Sequence, residues 1–401
     1  MKRKHTFPKI ILSILFIIAV VASAIYVSSL TVGDHNNADK IIHSKDIKST
    51  KSYTEKEKSN SDSSASNSNS VSDSKTTSAP GSTSIIFTGD VNLNQPILSN
   101  YDSSGLNGIL SSDLQNILKS ADILMINNEF SFSTRGEAMA GKEYTFRVPP
   151  SYVSILTEMG VDVAGVANNH ALDYGKDAYS DTLSTLHNAG IPTVGGGNSY
   201  NEAAAPAVFN KNGETYAILA ASRVIPSGSW NIDNSTPGML TTYDPNELIS
   251  EIKKAKASYN HVLVEVHWGK EYADHPEDYQ VDFAHKYIDA GADAVIGMHP
   301  HVLQGIEFYK GKPIFYSLGN FMFFKNTNPL AAVKLNISGN SISCHIIPAY
   351  ANNSKTYLAQ GAETSQKSSA ASSQAESVYT YLQSISTGIN IDSSDTVTPA
   401  Q

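Results

Sequence analysis

One cysteine, Cys344, occurs in the 401 residues, so no internal disulfide can form and an exported domain has to be held together by its core. Basic residues are also short. Against 38 Asp and Glu stand 29 Lys and Arg, a formal net charge of −9. That sum includes a basic N-terminus and a lysine-containing linker, so the folded part is more acidic than the whole. This balance argues against nucleic acid as a partner. It also means that an anionic ligand needs local help, from a metal or from one well-placed arginine. No internal repeat is present.

Apolar residues are scarce at both ends of the chain. Residues 34–82 are dominated by Ser, Lys, Asn, Asp and Thr, as in KSNSDSSASNSNSVSDSK. They offer too little apolar surface to offset the entropy of ordering, and they read as a flexible tether. Residues 351–401 are rich in Ser, Ala and Gln, with ESVYTYLQSI as the one stretch suited to a helix.

Charge is wholly absent from residues 10–33, IILSILFIIAVVASAIYVSSLTVG, which follow Lys2, Arg3, Lys4 and Lys9 of a basic segment, residues 1–9. As a helix this run reaches roughly 36 Å, enough for a bilayer core of about 30 Å. Ala22-Ser23-Ala24 would serve as a signal cleavage site, but the apolar run continues through Ile25, Tyr26 and Val27. Cleaved signals usually have apolar cores of about 7–15 residues, so an uncleaved transmembrane anchor is the favoured reading. With no cysteine near it, a lipid anchor is excluded. The basic flank belongs on the cytoplasmic side, giving a single-pass protein of the cell membrane with its main domain outside. The long tether after one anchor suits a Gram-positive envelope.

Residues 83–350 alternate between two kinds of segment. SIIFTG, DILMIN, VDVAGVA, TYAILAA, HVLVEVH and DAVIGM read as buried strands. DYGKDAYSDTLSTLHNAG, YDPNELISEIKKAKASY and PEDYQVDFAHKYIDAG read as helices. In the second of these, Asp244, Pro245 and Glu247 supply an N-cap, an N1 proline and the far side of a capping box. IEFYKGKPIFYS and AAVKLNISGNSISCHIIP read as hairpins. The fold class is α/β with added antiparallel strands.

Polar residues fall where these strands end. SIIFTG runs into Asp90, and DILMIN into Asn127, Asn128 and Glu129. VDVAGVA leads to Asn168, Asn169 and His170, HVLVEVH to His267 and Trp268, and DAVIGM to His299 and His301. Open α/β sheets bind ligands beyond the carboxyl ends of their strands. Polar loops alone do not account for a set so rich in Asp, Glu, Asn and His. Mixed oxygen and imidazole donors suit a divalent ion such as Mn, Zn or Fe, and the absence of a cysteine ligand excludes a structural zinc finger. Two ions sharing a carboxylate would suit displacement at a phosphate or similar ester. Pro300, between two of the histidines, biases His299 toward extended backbone.

The motifs FTGDVNLN, NNEFSF, YTFRVPP, ANNHALDYG, VHWGKEY, GMHPHVLQG and YSLGNFMF, in this order, resemble those of the CapA family of poly-γ-glutamate capsule synthesis proteins. That family is similar to calcineurin-like metallophosphoesterases, and the resemblance implies their α/β/β/α sandwich. It also implies metal ligands at Asp90, Glu129, Asn169, His267, His299 and His301, with His170 assisting the leaving group. Asn92 stands where an Asp-x-His opening would place its histidine. One metal site or two therefore stay open.

Further motif residues carry two readings each. Asp173 either orients His170 or caps the next helix, and Glu271 is an acid/base group or a solvated charge. Arg147 binds an anionic ligand or makes a structural ion pair. Asn128 and Asn320 bind substrate or satisfy strand ends, and Trp268 lines the pocket or packs. His187, His275, His285 and His345 read as surface or packing residues. The resemblance implies a membrane component that makes or exports poly-γ-glutamate or a related anionic polymer, alongside membrane polymer-synthase subunits. Two alternatives are an exported phosphoesterase acting on a small phosphate ester, and a non-catalytic scaffold of a polymer synthase.

Overall fold

The computed structural model describes residues 81–233, 236–323, 328–359, 361 and 373–400. The expected anchor at 10–33, and the tether up to residue 80, lie outside the described residues. Among the described residues no helix is long and apolar enough to cross a membrane.

In chain order the first half contains β1 (Thr83–Val91), α1 (Gln95–Ser104), α2 (Ser112–Lys119), β2 (Ile123–Asn128), α3 (Val153–Met159), β3 (Val163–Gly165), α4 (Gly175–Asn188) and β4 (Thr193–Val194). Then come β5 (Ala207–Lys211), β6 (Glu214–Ser222), α5 (Asn246–Ser258), β7 (His261–His267), α6 (Asp278–Ala290) and β8 (Ala294–Met298). The last part holds β9 (Ile306–Tyr309), β10 (Lys312–Phe315), β11 (Asn320–Met322), β12 (Leu330–Ser338), β13 (Ser341–Asn352), β14 (Lys355–Leu358), α7 (Gln374–Ile385), β15 (Ile389–Ile391) and β16 (Thr396–Pro399).

Two sheets form. The larger runs β15-β16-β13-β12-β1-β2-β3-β4, with β11 beside β1 and β14 beside β13. The smaller runs β9-β10-β8-β7-β6-β5. In the larger sheet β1 to β4 are parallel, and in the smaller β6, β7, β8 and β10 are parallel. Alternation along each strand sorts side chains between two faces. Ile85 and Phe87 of β1 meet Ile218, Leu263 and Ile296 of the other sheet in a shared core. Ile86 faces the opposite way and packs with Leu114, Leu156 and Leu183 of the helices. Val262, Val264 and Val295 do the same against Leu248, Ile252 and Tyr287 of α5 and α6. The layers are helix, sheet, sheet, helix.

Both expected hairpins are present, β9–β10 through Lys310 and Gly311 and β12–β13 through Gly339 and Asn340. The expected capping box on α5 is absent; Asp244 instead accepts from the Asn246 amide at 3.0 Å, and the helix begins after Pro245. A capping box occurs on α6, between Glu277 and Gln280.

The domain end expected at residue 350 falls inside β13, and the fold continues beyond it. β14 and β16 pair with β13, and β15 pairs with β16. α7, the helix expected in the tail, lays Val378, Tyr379 and Leu382 into the core between the sheets, with Ile389, Ile391 and Val397.

Candidate metal centre

The parallel strands of the two sheets end at one edge. Asp90 of β1 is in register with Asn127 of β2 and Asn320 of β11, and His267 of β7 with Ser222 and Met298. Because of the pleat, Asn127 and not Asn128 turns its side chain into the site. Asn127 Nδ2 lies 2.8 Å from Asp90 Oδ1 and 3.2 Å from His267 Nδ1, while its Oδ1 accepts from Asn168 Nδ2 at 2.9 Å. With Oδ1 accepting, Nδ2 has two protons to give, so His267 Nδ1 is the acceptor of one. The His267 proton is then on Nε2, which donates to Asn169 Oδ1 across 2.9 Å. Asn168 Nδ2 also donates to the Asn128 carbonyl, and Asn92 Nδ2 donates to that of Glu129 at 3.0 Å. An amide lattice thus holds the strand ends together.

Glu129, His299 and His301 are all buried, and each offers a ligand atom within 4.8 Å of the others. Both carboxylate oxygens of Glu129, and Nδ1 of His299, are buried without a hydrogen-bond partner among the described residues. Left uncompensated, a carboxyl in that position costs several kcal/mol. His301 Nδ1 is 2.9 Å from Asn320 Oδ1 and 3.3 Å from Asp90 Oδ2, so it is the protonated nitrogen and Nε2 keeps a free lone pair. Asn320 is therefore an orienting partner of a candidate ligand.

Burial, then the Asp90 charge, raises the Glu129 carboxyl well above the usual range. Burial, reinforced by the neighbouring imidazoles, lowers His267 well below its ordinary value and takes His299 down to about 3. For His301 burial is the largest influence and acts downward, but the hydrogen bond and charge of Asp90 outweigh it and leave the ring above its ordinary value. Burial disfavours charge on both Glu129 and His299, so the cluster is a donor set lacking a counter-charge. A divalent cation fits it, and mixed N/O donors suit Mn, Zn or Fe.

The backbone is adapted to this arrangement. His299 and His301 take positive φ, 99° and 60°. The expectation that Pro300 would keep His299 extended fails. The His299 amide instead donates to Asp90 Oδ2 at 3.3 Å, and the Pro300 carbonyl accepts from Tyr272 at 2.8 Å, which holds the turn in a conformation that L-residues disfavour.

A second group adjoins the first. His170 Nδ1 is 2.7 Å from Asp173 Oδ2 and 3.0 Å from Lys142 Nζ, and Lys142 also bonds Asp173 Oδ1 and the Asn169 carbonyl. Asp173 orients the imidazole and does not cap α4, whose N-cap residue, Tyr174, makes no side-chain cap bond. Burial lowers Lys142 against the pull of Asp173, and burial lowers His170. Phe146 lies 4.4 Å from the His170 ring and Phe323 4.7 Å from that of His301.

Lys142 was not among the residues expected in the site. It comes from a loop and not a strand end, and only its place two residues before YTFRVPP hinted at it. The remaining expectations divide. Glu271 is exposed, but its charge acts on Glu129, Lys142 and His301. Asn128 is buried and donates to the Phe130 carbonyl at 2.8 Å. Arg147 is exposed; it donates to the carbonyls of Arg135 and Gly136 and rests 4.2 Å over Tyr174. Trp268 does not line the pocket. It is fully buried on the helix side of its sheet, stacked on Tyr287 and Tyr316, with Nε1 donating to the Tyr316 carbonyl.

These features define a mixed α/β protein with a candidate metal cluster at the shared carboxyl edge of its two sheets. The sequence model described as "Bacterial capsule synthesis protein PGA_cap" matches residues 84–325, more than half of the chain, and the chain belongs to that family. It is 36% identical over 59% of its length to the PGA biosynthesis protein CapA of Bacillus subtilis, and 37% identical over 43% to the capsule biosynthesis protein CapA of Bacillus anthracis. The alignments span 62% and 42% of those relatives' own lengths. Among solved structures, the sulfate thiohydrolase SoxB of Thermus thermophilus overlaps 66% of this chain and 56% of its own, at 13% identity and a TM-score of 0.40.

Proposed function

We propose that this protein is a membrane-anchored, outward-facing component of the synthesis or export of poly-γ-glutamate or a related anionic polymer, acting through a metallophosphoesterase-like divalent-metal site. The observation that carries the reading is the buried Glu129–His299–His301 cluster with both Glu129 oxygens unpartnered. The names of the two Bacillus relatives support the polymer, and the charge-free run at 10–33 supports the anchor. Membrane polymer-synthase subunits are the partners this role calls for.

Glu129, His299 and His301 would hold the ion, with Asp90, Asn169 and His267 beside them. When bound, a divalent ion supplies Lewis-acid polarisation of a phosphoryl or carbonyl oxygen. The chain's own residues handle the proton. Asp173 holds the Nδ1 proton of His170, which leaves Nε2 as the atom able to accept or deliver one. Phe146 and Phe323 limit water around the two imidazoles.

The His170–Asp173 pair also supports a second reading, an exported phosphoesterase on a small phosphate ester. Complementation of a polymer-producing strain lacking this gene separates the two, and separates both from a scaffold. Wild type should restore polymer, while Asp90→Ala and His170→Ala should not. Full restoration by both variants would leave scaffolding as the role, and hydrolysis of a generic phosphate ester without any effect on polymer would favour the second reading.

A further inference from the structure

Arg223 follows β6 at the same carboxyl edge, and its amide donates to the His267 carbonyl at 2.8 Å. Its guanidinium carbon lies 4.1 Å from the ring centre of Tyr279, 4.8 Å from Tyr243 and 5.7 Å from Phe283. Three rings thus hold one cation. No carboxylate pairs with it among the described residues, and its Nε is buried without a hydrogen bond. Arg147 also has no acidic partner, but its guanidinium donates to two backbone carbonyls, whereas that of Arg223 meets only rings. Packing on rings explains where the guanidinium lies but leaves its donors unused, and a planar fork of such donors matches a carboxylate.

The surroundings are rigid and lead toward the metal cluster. Ser222 Oγ donates to the Val224 carbonyl and accepts from the Val224 amide, which fixes the turn that carries Arg223. Tyr279, under the guanidinium, accepts through its hydroxyl from the Gly269 amide at 2.6 Å, two residues beyond His267. Tyr243 and Tyr272 are exposed large aromatics, 53% and 50% accessible, and the Tyr272 ring lies 6.1 Å from that of His301. Amphipathic rings flanking a free cation suit a chain with apolar stems and charged ends.

We propose that Arg223, with Tyr243 and Tyr279, is a subsite for a carboxylate of an extended polycarboxylate chain whose neighbouring segment reaches the metal cluster. The proposal rests on the polymer reading above and names the residue that reads the polymer's charge. Nothing in it depends on the identity of the ion.

Detergent-solubilised full-length protein, with labelled poly-γ-glutamate oligomers followed by fluorescence anisotropy, tests it. Arg223→Met should weaken oligomer binding by about tenfold or more while metal content and melting temperature stay unchanged. Arg223→Lys, which keeps the charge and loses the planar fork, should recover only part. Binding of inorganic phosphate should be the same in all three proteins. Equal oligomer binding by wild type and Arg223→Met overturns the subsite and leaves the polymer reading standing. If α-linked polyglutamate binds through Arg223 and the γ-linked chain does not, the polymer reading falls and the subsite stands. No binding of either chain by the wild type removes both. Should Arg223→Met not fold, Tyr243→Ser at an exposed ring carries the test, and undiminished binding there overturns the subsite.

Discussion

His267 donates from Nε2 to Asn169 Oδ1 across 2.9 Å, one of the bonds that join the carboxyl ends of the two sheets. His267 belongs to the smaller sheet, whereas Asn169 follows β3 of the larger. The partners are buried, so removing either leaves the other unsatisfied. Asn169→Ala should lower the stability of the metal-free protein by about 1–3 kcal/mol in urea unfolding. If the two residues also ligate the ion, metal affinity should fall as well. An unchanged affinity would confine the pair to joining the sheets.

The orphaned Glu129 carboxyl makes the metal-free fold less stable than its packing allows. Glu129→Gln should therefore stabilise the metal-free protein at neutral pH while removing the response to ions. In wild type, free ion at a hundred times its Kd should add about 2.7 kcal/mol. Thermal melts with and without Mn, Zn or Fe, read with elemental analysis, check this. An ion-induced rise of equal size in Glu129→Gln would place the metal elsewhere. His299→Ala combined with His301→Ala should abolish bound metal outright.

Asn320 tests how ligand orientation contributes. It fixes the His301 ring through Nδ1, and partners of this kind typically affect metal affinity by about 10–100-fold. Asn320→Ala should weaken binding within that range while keeping the stoichiometry. Loss of stoichiometry would make Asn320 part of the donor set itself.

Much of this site was legible in the sequence because strand ends are legible. Asp90, Glu129, His299 and His301 each lie within a few residues of the end of an apolar run, and parallel strands deliver the residues at their carboxyl ends to one edge. Two kinds of information were missing. The first was pleat phase: NNEF does not say which asparagine faces the site, and a one-residue shift exchanges Asn127 for Asn128. The same phase sends Trp268, next to His267, to the helix side. The second was loop placement. Lys142 reaches His170 from a segment without periodicity, so no pattern in its own neighbourhood marks it. The α/β class could be read from the alternation of strands and helices, whereas the four layers were implied only by the family resemblance. The C-terminal strands could not be read, since β15 and β16 have three and four residues and contribute little apolar pattern of their own.

Glu265 gives a pH dependence of its own. It points from β7 into the space between the sheets, over Gly165, where a Cβ atom would come within 2.0 Å of its Oε2. That oxygen is buried with no partner, and burial, then Asp90, raises the carboxyl well above 4.5. The folded state therefore holds a proton that the unfolded chain releases above about pH 4.5. Stability falls as pH rises from the unfolded value toward the folded one, by about 1.4 kcal/mol per unit within that window. Glu265→Gln should flatten this slope and gain most at the alkaline end. Urea midpoints at pH 5 and pH 8 decide it, and parallel curves for the two proteins would refute the assignment.

Asp293 should behave in the opposite sense. It bridges Lys256 at 2.8 Å and Lys312 at 2.7 Å and accepts from the Val262 amide at 3.0 Å. Burial is the largest single influence and acts upward, but the two lysines and the amide together outweigh it and hold the carboxyl below 3.8. A depressed folded value means that the stability gained is full above the unfolded value of about 3.8 and is lost as pH falls through the folded one. Both ammonium groups are partly exposed, so solvent screening reduces what the bridges contribute. Asp293→Asn should then cost about 1–2 kcal/mol at pH 7, mainly through the charge-assisted bonds. Between pH 4 and pH 2 the wild-type and variant stabilities should converge. A difference that persists unchanged at pH 2 would show that the side chain acts through packing and not through its charge.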